Sequence, residues 1–90
     1  MYRDEALEKV ESLITKEREA QHGPVARNAA VIASLWSTYT GQKIREHDVW
    51  VMLSPMKVGR LISGDEKNED HWVDAIGYLA LGVEQCTESD

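Results

Sequence analysis

Apolar residues recur every three or four positions along most of the chain, and strand-type alternation is hard to find. Leu7, Val10 and Ile14, with Leu13 beside them, form one stripe, while Asp4, Glu5, Glu8, Lys9 and Glu11 cover the other faces. The spacing predicts a first helix from Asp4 to Lys16. A polar stretch follows, and Gly23-Pro24 ends whatever precedes it, because a residue before proline avoids the helical region. Pro24 suits the first turn of a second helix, where a missing N–H costs nothing. Ala29, Ile32, Ala33, Trp36 and Tyr39 run down one side of that helix, and Gly41 stops it. Asp48 is the candidate cap of a third helix whose apolar face is Val49, Met52, Leu53, Met56 and Leu61. Pro55 interrupts this face. Proline inside a helix removes a hydrogen bond and crowds the previous turn, which predicts a kink between Val51 and Pro55 or two short helices. Gly64 closes the segment, and Gly64 to Glu69 reads as a charged loop. The fourth helix is expected from Asn68 to Cys86, with Trp72 (or Val73), Ile76, Leu79, Ala80 and Val83 turned inward.

The expected fold is therefore all-α, a four-helix antiparallel bundle with short connections and a third helix kinked at Pro55, in a single domain over residues 1–90. A chain of this length has a marginal core, and Cys86 is the only cysteine, so no disulfide supports it. Acidic neighbours at Glu84, Glu88 and Asp90 disfavour a thiolate and make Cys86 a spectator. Three Trp and three Tyr leave large apolar faces to cover, which predicts a homo-oligomer, a dimer in the simplest case. Net charge is −6. That argues against binding a nucleic-acid backbone, which needs clustered cations, and permits docking on a basic protein. The start of the chain is charged with no apolar signal region behind it, and no apolar run reaches the roughly 18–20 residues of a membrane span. A cytoplasmic protein is expected.

Lys57 and Arg60 lie three residues apart, and Asp70 and Asp74 four apart, followed by Gly77 and Tyr78. Such spacings share one helix face, so two cations and two carboxylates are expected around a common space. The cations either snorkel past a buried face or hold an anion, with Arg gripping phosphate bidentately and Lys adding a point charge. The carboxylates either sit favourably at a helix N-terminus and pair with Lys57 and Arg60, or form a two-carboxylate site for Mg²⁺ completed by substrate phosphates. His22 is either a hinge residue before Gly23-Pro24 or a donor to a ligand. Asn28 either bonds the hinge backbone or points at a ligand. His47 and His71 lack metal-ligand spacing and read as surface residues, and Trp36 and Trp72 read as core. No Gly-rich phosphate loop, zinc set or Ser-centred nucleophile motif is present.

The ordered set Lys16 through Gln21-His22-Gly23, Asn28, Ile32-Ala33-Ser34-Leu35-Trp36-Ser37, Asp48-Val49 with Met52, Lys57 with Arg60, and Asp70, Trp72, Asp74, Gly77 and Tyr78 resembles a small, poorly characterised family of phage and prophage proteins, over residues 15–84. Trp72 to Leu81 is also similar, more distantly, to the closing helix of the MazG-like all-α nucleotide pyrophosphohydrolases. Those enzymes carry a Glu cluster on the preceding helix, whereas Met56-Lys57-Val58-Gly59-Arg60 is cationic. The resemblance implies a phage-type protein in the cytoplasm of a host bacterium, with a MazG-like scaffold. It would bind a nucleotide or other phosphate-bearing ligand through His22, Asn28, Lys57, Arg60, Asp74 and Tyr78, without support for hydrolysis. The alternative is an acidic accessory protein that binds a host protein or defence complex.

Overall fold

The structure is a computed structural model that describes residues 1–15 and 25–88. The described residues form helices and no strand: α1 (Arg3–Ile14), α2 (Val25–Thr40), α3 (Glu46–Arg60) and α4 (Glu69–Glu88), with a kinked segment at Leu61–Asp65 between the last two. Helix ends fall where the backbone chemistry puts them. Gly41 adopts φ 71° just past α2, and its N–H returns to the Ser37 carbonyl at 2.9 Å, closing the last turn. Gly64 adopts φ 122° and breaks the path between α3 and α4. At the start of α4 the Asn68 side-chain oxygen accepts the Asp70 N–H at 3.0 Å.

Asp48 does not cap α3 from outside, because Arg45 is the N-cap. Asp48 sits at the third helical position and reaches back. Its carboxylate accepts the Arg45 N–H at 2.9 Å and the Arg45 guanidinium at 3.0 and 3.1 Å. These bonds, the guanidinium first, hold the Asp48 carboxyl below the usual carboxylate range. A depressed folded-state pKa adds stability that is present above the unfolded value of about 3.9 and is lost as pH falls through the folded one. Asp48→Ala is therefore expected to cost on the order of 1 kcal/mol at pH 7. In urea titrations at several pH values, the gap between parent and variant should close below pH ~4. A gap that persists undiminished into acid would show that the capping carboxylate is not its source.

The expected break at Pro55 is not where the chain bends away from helix. α3 continues through Pro55 to Arg60, and the irregular backbone comes later, at Leu61–Asp65. Proline strips the Val51 carbonyl of its partner, but Val51 and Pro55 are both exposed, so water can serve that oxygen. Gly59 lies in the same helix with nothing within 4 Å of where a Cβ would stand. Gly59→Ala is expected to stabilise by about 0.5–1 kcal/mol, because it restricts the unfolded chain without a clash in the folded one. A lower urea midpoint would contradict this.

α3 and α4 form the principal contact and run antiparallel, with His47 beside Gly82, Ser54 beside Ala75, and Lys57 beside Asp74. α2 packs on α3, and α1 packs on α4. α1 runs in the same sense as α4, since Met1 lies by Glu69 and Ile14 by Gly77. The helices thus do not alternate up and down throughout. The core is Ala29 and Ala33 of α2 against Val49 and Trp50 of α3, with Ile32, Trp36, Ile44, Leu53, Tyr78 and Leu81 around it. Trp50 anchors this cluster. Its ring stacks on Tyr78 at 6.1 Å, and its indole N–H donates to the Gln85 side-chain oxygen.

Of the α4 residues expected to point inward, Val73 is buried and Ala80 half-buried, but the rest are not. Val73, Gly77 and Gly82 are buried and Leu81 is half-buried, whereas Trp72, Ile76, Leu79 and Val83 are exposed. On the other helices Leu7, Tyr39, Met52 and Met56 are likewise exposed rather than core. The Cβ position of Gly82 lies 3.4 Å from the Trp50 Cβ, and that of Gly77 lies 3.6 Å from an Ile14 methyl. α4 therefore meets its neighbours through its small residues and leaves its large ones outside.

Candidate functional site

The antiparallel α3–α4 pairing brings the predicted cations and carboxylates to one end of the helix pair. It sorts them differently from a single four-membered cluster. Lys57 meets Asp74 across the pair, Nζ to Oδ2 at 3.1 Å, with both side chains only partly exposed. Asp70 meets Lys9 of α1 instead, Oδ1 to Nζ at 2.7 Å. The Lys9 ammonium holds the Asp70 carboxyl below the usual range, and Asp70 in turn raises Lys9. Arg60 is exposed at the end of α3 and makes no ion pair among the described residues. Both α3 cations occupy its last turn, where they also complement the negative end of the helix dipole.

Beside the Lys57–Asp74 pair is a cavity of about 200 Å³ between α1 and α4. Leu13, Ile14, Val73 and Leu81 give it apolar walls, and Asp74, Gly77 and Tyr78 line its other side. The glycine keeps the α4 wall low, so the cavity reaches the helix backbone. Asp74 and Tyr78 are four residues apart on one helix and both border the same space. Asn28 is exposed on α2 and does not line this cavity. His22 lies outside the described residues.

Asp70 and Asp74 are drawn to different lysines, and no group of three or more His, Cys, Asp and Glu side chains is placed to hold a metal ion among the described residues. The residue that sequence reasoning passed over is Lys9. It is the lone cation amid Asp4, Glu5, Glu8 and Glu11, and that isolation was the available signal. His71 belongs to a separate local network. Its Nε2 lies 2.8 Å from the Asp65 carboxylate, which also accepts from Asn68.

A family model described as a domain of unknown function, DUF6378, matches residues 5–86. The chain belongs to the DUF6378 family. The match spans all four helices of this DUF6378 chain nearly end to end, and so includes Lys9, Lys57, Arg60, Asp70, Asp74 and Tyr78. Neither a curated protein nor a solved structure matches it. No described helix is long and apolar enough to cross a membrane.

Proposed function

We propose that this protein binds a phosphate-bearing small molecule, a nucleotide in the simplest case, where the last turns of α3 face α4. The observation that carries the reading is the inequality of the two cations. Lys57 is neutralised by Asp74, while Arg60, one turn on, is exposed and without an ion-pair partner among the described residues. An unpaired guanidinium beside a paired ammonium is a ready seat for a phosphate, two of whose oxygens the planar fork can grip. Phosphate would engage Arg60 first and then compete with Asp74 for Lys57. A cavity of about 200 Å³ is below the range of roughly 300–1,000 Å³ typical of whole-ligand pockets. It would therefore take one part of the ligand, against Tyr78, while the phosphates lie outside over α3. Binding without hydrolysis on a MazG-like scaffold in a phage setting is the form of the proposal that the sequence resemblance favours.

Thermal denaturation with nucleoside mono-, di- and triphosphates and with pyrophosphate, each with and without Mg²⁺, tests it. A ligand at a hundred times its dissociation constant adds about 2.7 kcal/mol, a rise of roughly 10–20 °C in Tm for a chain of this size. An unchanged Tm across the panel would contradict the reading. It would leave in front the alternative of an acidic accessory protein that docks on a host protein or defence complex. That alternative draws on the exposed apolar side chains of all four helices.

A further inference from the structure

The outward face of α4 carries a continuous apolar stripe. Trp72, Ile76, Leu79 and Val83 are 54%, 38%, 48% and 62% exposed. Their spacing of four, three and four residues is that of a helix seam. The stripe is prepared for burial rather than left over. The Trp72 indole N–H already donates to the Glu66 carbonyl at 2.8 Å, so the ring can be covered without stranding a donor. No charged residue occurs between Asp74 and Glu84. Ala75 and Ala80 flank the stripe and allow a helix to approach closely.

We propose that this stripe is a homodimer seam, with α4 lying antiparallel on α4 of a second copy. The occupant follows from two observations. The stripe is self-complementary. A two-fold axis between Ile76 and Leu79 sets Ile76 on the second copy's Leu79 and the large Trp72 on its small Val83, the isologous pairing a dimer requires. Finally, with a net charge of −6, two copies repel except through a neutral surface, and this stretch of α4 is one. The seam stands apart from the ligand reading, because Asp74, Gly77 and Tyr78 face the cavity on the other side of the same helix.

Sedimentation of the full chain at tens of micromolar tests the seam. The expected result is a species of about 20 kDa, twice the chain mass. Leu79→Glu and, separately, Val83→Lys should each shift it to the single-chain mass with helical circular dichroism retained, because both residues are exposed within one chain. Met56→Glu, on the exposed side of α3, should leave the larger species intact. A parent protein that sediments as a single chain overturns the proposal, whatever other protein it binds. So does a dimer that withstands both α4 changes.

Discussion

Replacing Trp50 with alanine is expected to bring the protein to the edge of unfolding. Trp50 is buried at the centre of the α2–α3 core, against Ala29, Ala33 and Val49. Its ring stacks on Tyr78, its N–H donates to Gln85, and its Cβ touches the point where Gly82 lets α4 come close. Removing the ring empties a space that three helices share and leaves Gln85 without its donor. Truncating a buried Trp costs about 3–5 kcal/mol. A chain of 90 residues is held by roughly 5–13 kcal/mol in all. Equilibrium urea denaturation should show the loss as a much lower midpoint, and Trp50→Phe should recover most of it. A fall of less than ~1 kcal/mol for Trp50→Ala would mean that the core does not turn on this residue.

The second large effect concerns Lys57 and Asp74. Their pair is partly shielded, so breaking it should cost more than the 0–1 kcal/mol of an exposed pair and less than the 3–5 kcal/mol of a fully buried one. Lys57→Met and Asp74→Leu are each expected to destabilise by about 1–2 kcal/mol, and the double change by clearly less than their sum. Arg60→Ala should change stability by no more than ~0.5 kcal/mol, since its side chain is exposed and forms no ion pair among the described residues. A double-mutant cycle read by chemical denaturation checks all three. Coupling of Asp74 to Arg60 rather than to Lys57 would contradict the observed pairing.

Much of the helical segmentation was legible because its punctuation is chemical. Gly41 and Gly64 take positive φ where the pattern stopped, and helix ends elsewhere fall within two or three residues of the expected ones. The orientation of α4 was not legible. Apolar residues surround this helix, with Val73 and Leu81 on one side and Trp72, Ile76, Leu79 and Val83 on the other, so periodicity supports two faces. The deciding marks were Gly77 and Gly82, whose missing side chains admit α1 and α3. The carboxylate spacing put Asp70 and Asp74 on one face of the helix. It could not reveal that Asp70 would pair with Lys9, because that contact joins residues 61 apart in sequence and leaves no local pattern.

The central claim is that Arg60 and Lys57 hold phosphate. The most direct test is calorimetric titration of the parent and of Arg60→Ala with the nucleotide that raises Tm most. A lost charged hydrogen bond costs about 1.5–3 kcal/mol, so affinity should fall by at least about tenfold in a variant whose unfolding midpoint is unchanged. Equal affinity in the two proteins, or no nucleotide binding by the parent, would contradict the account.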